Sequence, residues 1–311
     1  MDHIDPAGAP SRRRRRFDDE DDLPRLRRRS GPSPAAVREL DGAQPVEQPN
    51  YSTWGEAIHG PDPLPDWVIT TLGAVDTELG VLKTGKEADV HLVERTDEVV
   101  GASVVLAAKR YRSSEHRLFH RDAGYLEIRR VRRSRETRAM ARRTDFGRDL
   151  IAGQWAMAEF EALARLWRLT RDDGHRPLVP YPVQLRGREL MLEFIGQDDG
   201  TAAPRLAQVR ADGEELIHLW HQMLDALGTL ALHGLAHGDL SPYNVLVQRG
   251  RLVLIDLPQI VDVVANPRGA EFLARDVATV ARWFRGRGLP AELCDVERLV
   301  ADLLADAGLR A

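Results

Sequence analysis

Residues 237–256 constrain the fold of this chain more than any other stretch. They begin with His-Gly-Asp-Leu-Ser-Pro-Tyr-Asn, continue as a short apolar strand, and return after a turn as a second apolar strand that ends at Asp256. Turns are rich in Asp and Asn, so an ordinary β-hairpin explains Asp239 and Asn244. It gives no reason for another aspartate at the end of the next apolar strand. The pattern therefore favours a hairpin whose polar side chains carry chemistry.

Asp239, Asn244 and Asp256 together suit phosphoryl transfer from a magnesium-bound nucleotide. Asp239 would accept or orient the proton of the attacking hydroxyl, while Asn244 and Asp256 would hold metal ions on the phosphates. Mg²⁺ is a hard cation, and carboxylate, amide and phosphate oxygens satisfy it. The predicted cofactors are ATP and Mg²⁺.

The bulk composition sets the class of protein. A chain of 311 residues, of which 43% are hydrophobic, has room for a sizeable core in about two domains. Cys294 is the only cysteine, so we expect no disulfide and no thiolate metal site, which suits a reducing cytoplasm. No apolar run approaches the roughly 18 residues of a membrane span, and the N-terminus has no apolar leader. We expect a cytoplasmic protein without a membrane segment.

Residues 1–50 differ from the rest of the sequence in composition. A run of arginines at 12–16 precedes an acidic cluster at 18–22, and more arginines and several prolines follow. With few apolar residues, such a segment cannot offset the entropy of ordering. We expect a disordered tail, and an RNA-binding arm is the alternative.

A glycine turn and a lysine strand follow. Residues 79–93 read as strand, turn and strand, and such a turn can lay backbone N–H groups over phosphates. A plain hairpin is the alternative, because the pattern is neither GxGxxG nor a Walker A loop. The next strand, residues 104–109, is apolar until Lys109. A lysine there can pair with nucleotide phosphates if a helix carboxylate holds it in place.

The carboxylate is expected from a helix over residues 150–170. Its apolar residues form one stripe: Ala156, Phe160, Leu163 and Trp167. Glu159 and Glu161 are the candidate partners of Lys109. Glu159 is preferred, because it lies one turn before Leu163 on a face near the stripe.

Between the lysine strand and this helix, residues 110–148 are dominated by arginine. We expect a positively charged loop or helix pair near the nucleotide, which would attract polyanions such as ATP or a ribosomal RNA partner. A solvated basic surface is the alternative, because a charge run by itself is not a site.

Residues 183–196 predict a hairpin that runs out into a linker between two lobes. The backbone at Glu193 and Ile195 would suit adenine, whose edge offers one donor and one acceptor, and a simple strand end is the alternative. Two amphipathic helices are predicted at 213–233 and 269–285, and a final helix near Pro290, with Cys294 packed as a small apolar residue.

In this order, the motifs resemble those of the RIO-type atypical protein kinases. The matching segments are residues 84–90, 108–110, 155–163, 192–196, 237–244 and 255–259, and residues 272–277 resemble the helix after the metal loop of that family. Several motifs in one order at kinase spacing are specific, whereas any one alone is not. The resemblance covers about residues 70–285.

The resemblance implies an α+β, two-lobed fold like that of protein kinases, without activation or peptide-binding segments. The N-lobe, residues 51–196, would hold an antiparallel sheet plus a helix, and the C-lobe, residues 197–311, would be mainly helical. Asp239 would be the catalytic aspartate, and Lys109 would contact phosphates and pair with Glu159. Asn244 and Asp256 would be the metal ligands, and Glu193 and Ile195 would bond adenine. The turn residues expected at the nucleotide are Thr84, Gly85, Lys86, Glu87, Ala88 and Val90.

The implied function is Mg-ATP-dependent phosphoryl transfer to serine or threonine of a protein or of the chain itself, as in a non-specific serine/threonine protein kinase. An ATPase-type assembly factor for ribosomes or RNA, which transiently phosphorylates Asp256, is the alternative. A small-molecule kinase would share the His-Gly-Asp loop, but the turn at residues 84–87 and the Pro258-Gln259 pair disfavour it.

Overall fold

The computed structural model describes residues 49–112, 145–172, 177–197 and 200–309. The expectations for the tail, residues 1–50, and for the arginine-rich stretch, residues 110–148, fall almost entirely outside these ranges. Within them, no helix is both long and apolar enough to cross a membrane.

The first half of the fold is a six-stranded antiparallel sheet with the order β1-β5-β6-β4-β3-β2. Its strands are β1 (Ile58–His59), β2 (Val75–Thr84), β3 (Ala88–Asp97), β4 (Ala102–Tyr111), β5 (Pro182–Arg186) and β6 (Glu189–Glu193). The predicted hairpins β2–β3 and β5–β6 are confirmed, and β6 ends at Glu193 rather than reaching Gly196. The lead-in at Trp54 is a single 3₁₀ turn, Trp54–Glu56, followed by β1 on the sheet edge.

Strand β4 lies in the interior of this sheet. Lys109 is paired in register with Val90 on β3 and Leu190 on β6, so its backbone is held from both sides. Leu106 and Ala108 are buried on the opposite face, because successive side chains on a strand alternate between faces. The alternation directs Lys109 and Tyr111 to the face that meets the helix α1 (Asp145–Asp172).

A buried ionic cluster joins distant strands of the sheet at Arg95. Its guanidinium bonds Asp76 on β2 twice, at 2.7 and 2.8 Å, and reaches across the sheet face to Gln184 on β5 at 2.9 Å. Gln184 donates in turn to Thr53 at 2.8 Å. Arg95 is 0% exposed, and a charge at that depth is tolerated only when it is paired and hydrogen-bonded. The cluster therefore fixes β2, β3, β5 and the lead-in against one another.

The second half is mainly helical. Its helices are α2 (Gly213–Leu232), α3 (Gly269–Gly286) and α4 (Val296–Asp306), and its short strand pairs are β7 (Leu235–Ala236) with β10 (Val261–Asp262), and β8 (Val245–Gln248) with β9 (Arg251–Leu254). The helices α2 and α3 meet at Trp220 and Phe284, which are both fully buried with ring centroids 5.1 Å apart. This apolar centre supports the loop between β7 and β8.

The expected start of the last helix near Pro290 is wrong. Residues Ala291–Leu293 form a 3₁₀ turn instead, and Leu293 is 38% exposed. The α-helix begins at Val296, because the Asp295 side chain accepts the Arg298 N–H at 3.1 Å and caps it. The α+β, two-lobed architecture is confirmed.

Candidate active site

The centre of the site is Lys109, which bridges two acidic residues. Its Nζ lies 2.8 Å from Glu159 Oε1 and 2.8 Å from Asp256 Oδ1. The Glu159 side chain is 1% exposed and that of Lys109 is 13% exposed. Burial acts to lower the pKa of the Lys109 ammonium, but the two carboxylates outweigh it and raise that pKa above its ordinary value. The lysine therefore stays charged, and Glu161, which is exposed, is not its partner.

Tyr111 is a third member of this network that the sequence analysis missed. Its hydroxyl donates to Glu159, and the Lys109 ammonium lies 5.2 Å from the centroid of its ring. The Leu257 N–H also donates to Glu159, at 3.3 Å. Burial, and then the charge of Glu159, raise the pKa of Tyr111 well above its usual value, so its hydroxyl remains a donor. Its position two residues after Lys109, on the same strand face, is the signal that could have found it.

The loop between β7 and β8 brings Asp239 and Asn244 next to the segment after β9 that carries Asp256. Asn244 Nδ2 donates to the Asp239 carbonyl at 2.9 Å, and the Ile255 N–H donates to the Asn244 carbonyl at 3.0 Å. The buried His237 ring also bonds the Ile255 carbonyl, with Nε2 at 3.1 Å. The predicted residues at positions 239, 244 and 256 thus lie on segments tied by backbone bonds.

Asp256 itself has an unusual backbone. Its φ of 66° is in the left-handed region, which a residue other than glycine seldom adopts. Its side chain is 44% exposed. Burial acts to raise the pKa of its carboxyl, but Lys109 lowers that pKa by more, so the group is ionised. One carboxylate oxygen faces Lys109, and the exposed side of the group is open to a cation.

Helix α3 supports the loop around Asp239 through the side chain of Asp276. Asp276, which is 1% exposed, accepts the Gly238 N–H at 2.8 Å and the Leu240 N–H at 3.0 Å. Burial raises the pKa of Asp276, although the two N–H groups oppose this. Gly238 has φ 85°, and a Cβ there would lie 2.3 Å from the Gln259 carbonyl oxygen, so the position needs glycine. These contacts fix the backbone on both sides of Asp239.

The sequence analysis did not single out Asp276. Its signal was a charged residue inside the apolar stripe of α3, between Leu273, Val277 and Val280, which are all buried. A buried acid in such a stripe requires partners.

The glycine turn lies at the outer end of β2 and β3. The Gly85 N–H donates to the Ala88 carbonyl at 3.0 Å, and a Cβ on Gly85 would lie 2.7 Å from that oxygen. Ala88 is buried, and Val90 is paired with Lys109 across the strands. Thr84 and Lys86 are exposed and Glu87 is partly exposed. The structure thus brings Val90 to the lysine and leaves the tip of the turn at the sheet edge.

At the strand end, Glu193 and Ile195 each have one backbone group bonded to a neighbouring segment of the protein. The Glu193 N–H donates to the Tyr181 carbonyl at 2.8 Å, and the Ile195 carbonyl accepts from the Ala203 N–H at 3.0 Å. The predicted adenine contacts would use the Glu193 carbonyl and the Ile195 N–H.

The donor set suits a hard cation bound together with phosphates. In the described part of the chain, no group of three or more His, Cys, Asp or Glu side chains is arranged to hold a metal ion. Mg²⁺ commonly takes one or two protein carboxylates and completes its shell with waters and phosphates. Asp256, with Asn244 beside it on the bonded segment, fits that requirement.

Comparison with known proteins identifies the family. The model of the RIO domain matches residues 103–299. The chain belongs to the RIO family. It is 33% identical over 223 residues to the RIO-type serine/threonine-protein kinase Rio1 of Haloferax volcanii, covering 71% of this chain and 67% of that protein. The family resemblance found in the sequence is confirmed.

Eukaryotic members of the RIO family are also similar. Serine/threonine-protein kinase RIO3 of Homo sapiens is 29% identical over 272 residues, which is 85% of this chain and 49% of that protein. Serine/threonine-protein kinase RIO1 of Saccharomyces cerevisiae is 28% identical over 242 residues, covering 71% of this chain and 46% of that protein. The chain spans about half the length of these two relatives.

Proposed function

We propose that this RIO-family protein is a cytoplasmic, Mg-ATP-dependent kinase that transfers a phosphoryl group to serine or threonine of a protein or of its own chain. The observation that carries the proposal is the Lys109 bridge between buried Glu159 and Asp256. A lysine held by a helix carboxylate next to a metal-binding aspartate is the arrangement that positions nucleotide phosphates in protein kinases. The relatives named as serine/threonine-protein kinases support the choice of acceptor.

Binding of the nucleotide would use the groups already in place. Lys109 would exchange its contact with Asp256 for the α- and β-phosphates, while Glu159 keeps it oriented. Asp256 and Asn244 would then hold Mg²⁺, which neutralises charge on the phosphates when bound. The Glu193 carbonyl and Ile195 N–H would bond adenine, and Val90 and the turn at residues 84–88 would cover the phosphates.

Asp239 would orient the acceptor hydroxyl and take its proton. The acceptor oxygen forms a bond to the γ-phosphorus as the bond to the bridging oxygen of ADP breaks, and the proton goes to the Asp239 carboxylate. Catalysis of this kind is mostly positioning and charge stabilisation. The hydrogen bonds that the Gly238 and Leu240 N–H groups donate to Asp276 position Asp239, since they hold the backbone on both sides of it.

The test is incubation of the pure chain with Mg²⁺ and γ-labelled ATP, followed by acid and hydroxylamine treatment of the product. We expect acid-stable label on Ser or Thr. Asp239→Asn should lower transfer by on the order of 10²–10⁴-fold and keep nucleotide affinity, whereas Asp256→Ala should weaken Mg-dependent nucleotide binding.

Other outcomes would replace the proposal. Hydroxylamine-labile label on Asp256 with steady release of ADP would indicate the ATPase-type assembly factor. Its RNA contact would fall to residues 110–148, most of which lie outside the described ranges. Transfer to added small alcohols would indicate a small-molecule kinase. Parent-like transfer by both variants would contradict the site assignment itself.

A further inference from the structure

The turn between β2 and β3 is tied to the end of β4 by three hydrogen bonds. The Arg112 N–H donates to the Glu87 carbonyl at 2.9 Å. The Arg112 guanidinium donates to both oxygens of the Asp89 carboxylate, from Nε to Oδ2 at 2.8 Å and from a terminal nitrogen to Oδ1 at 2.6 Å. Paired N–H groups of this kind match a carboxylate in geometry as well as in charge. We call these three bonds the Asp89–Arg112 clamp.

The clamp has a fixed point, because the residue before Arg112 is held by two other segments. The Tyr111 N–H donates to the Arg188 carbonyl, between β5 and β6, at 3.0 Å. The Tyr111 hydroxyl donates to Glu159 on α1, and Tyr111 is 4% exposed. The clamp therefore connects the turn to the anchored end of the strand that carries Lys109.

The clamp holds the turn from the side away from the proposed phosphate site. Val90 is paired in register with Lys109, and paired side chains lie on the same face of a sheet. Asp89 directly precedes Val90, so its side chain is directed to the opposite face. The hydrogen bonds from Arg112 lower the pKa of the Asp89 carboxyl although burial opposes them, and the Gly85 N–H acts in the same direction as Arg112. The ionised carboxylate thus orders the turn without occupying the face that phosphates would meet.

We propose that Asp89 and Arg112 are positioning residues for the nucleotide, because their clamp holds the turn over the phosphates of Mg-ATP. Thr84 and Lys86 in this turn are exposed. A loop that is ordered before a ligand arrives loses less conformational entropy on binding than a loop that must be ordered by the ligand. Removal of the clamp should therefore weaken the binding of phosphates and not that of adenine. This inference rests on the proposed kinase function and adds what holds the turn in place.

The test compares the binding of Mg-ATP and of adenosine to the full chain, measured by calorimetry. Asp89→Asn and Arg112→Gln should each raise the Kd for Mg-ATP about fivefold, the upper end for a partly exposed ion pair of good geometry, and leave the Kd for adenosine unchanged. The double variant should bind no more weakly than either single variant, because both changes act through one contact. Arg112→Lys keeps the charge but not the planar fork, so it should recover part of the loss.

The matched control is Glu189→Gln, which removes a neighbouring ion pair of β4. Glu189 accepts a hydrogen bond from Arg110 at 2.6 Å, and this bond joins β4 to β6. The two side chains are 25% and 35% exposed, against 23% and 46% for Asp89 and Arg112. The control should leave the Kd for Mg-ATP and the Kd for adenosine unchanged.

Three outcomes overturn the inference and leave the kinase function standing. The first is parent-like binding of Mg-ATP by Asp89→Asn and Arg112→Gln. The second is an equal rise of the Kd for Mg-ATP and for adenosine, which would show a general loss of structure. The third is a loss of Mg-ATP affinity in Glu189→Gln as large as in the clamp variants. The kinase function fails separately, if no protein acquires Asp239-dependent label, and the binding comparison decides the role of the clamp in that case too.

Discussion

Replacing Tyr111 by phenylalanine removes one hydroxyl from the lysine network and leaves the packing of the ring intact. The hydroxyl donates to the Glu159 carboxylate, and the two residues are 4% and 1% exposed. A hydrogen bond to a charged group contributes about 1.5–3 kcal/mol, and loss of a buried one leaves the acceptor short of a partner. Glu159 keeps Lys109 and the Leu257 N–H, so we expect about 2 kcal/mol of destabilisation, in the middle of that range.

Thermal unfolding measures this loss. For a chain of 311 residues, about 2 kcal/mol corresponds to a fall in Tm of about 3 °C. Tyr181→Phe is the matched control, because the Tyr181 hydroxyl is equally buried but donates to a neutral carbonyl, that of Pro61, at 3.0 Å. It should cost about 1 kcal/mol and leave Mg-ATP affinity unchanged, whereas Tyr111→Phe should weaken Mg-ATP binding because Glu159 orients Lys109 less well.

A double-mutant cycle with Glu159→Gln decides whether the effect passes through the carboxylate. Residues in direct contact within one network show coupling energies of about 0.5–3 kcal/mol. Coupling below about 0.5 kcal/mol, or a loss in Tyr111→Phe no greater than in Tyr181→Phe, would refute the reasoning that Tyr111 acts through Glu159.

Three further predictions concern the catalytic loop and Asp256. Gly238→Ala should lower the free energy of unfolding by more than about 2 kcal/mol, because a left-handed conformation alone costs about 1–2 kcal/mol and the new Cβ would lie 2.3 Å from a carbonyl oxygen. The control is Gly250→Ala, where φ is 74° and no atom lies within 4 Å of the new Cβ. In urea unfolding it should lose only the conformational part. Asp276→Asn should lose about 1–3 kcal/mol and slow phosphoryl transfer, because its amide NH₂ cannot accept one of the two N–H bonds; unchanged urea midpoints would contradict this. Burial acts to raise the pKa of Asp256, but Lys109 lowers it below the unfolded value. The stabilisation from the Asp256 carboxylate is therefore present above about pH 3.9 and is lost as the pH falls through the folded pKa. The difference in Tm between the parent and Asp256→Asn should narrow below about pH 4, and a difference that widens there would show that the carboxylate pKa is raised instead.

The residues with local signals were predicted from the sequence. The hairpins at the glycine turn and at β5–β6 follow from alternation and turn residues, and the helices α2 and α3 follow from their apolar spacing. The choice of Glu159 over Glu161 came from its place near the apolar stripe, and the structure buries Glu159 and leaves Glu161 exposed. Local periodicity was sufficient because it decides which face of an element meets the core.

The residues that depend on distant partners were not predicted. Asp276 accepts a hydrogen bond from the Gly238 N–H, which lies 38 residues earlier in the chain. Tyr111 bonds Glu159, which lies 48 residues later in the chain, beyond the arginine-rich stretch. The start of α4 was misplaced because Pro290 was taken as the helix start, while the cap is Asp295. In each case the deciding contact is tertiary or a side-chain cap, which spacing alone does not encode.

The ionic cluster at Arg95 makes three distant positions depend on one another over evolutionary time. A single change at Asp76 would leave the buried Arg95 cation without its carboxylate, at a cost of about 3–5 kcal/mol, and a change at Gln184 would also release the lead-in at Thr53. Joint replacement of an ionic set by apolar residues of similar volume is often neutral or stabilising. The sequence positions 76, 95 and 184 should therefore be inherited as one unit, either all ionic and polar or all apolar, with few viable intermediates between the two states.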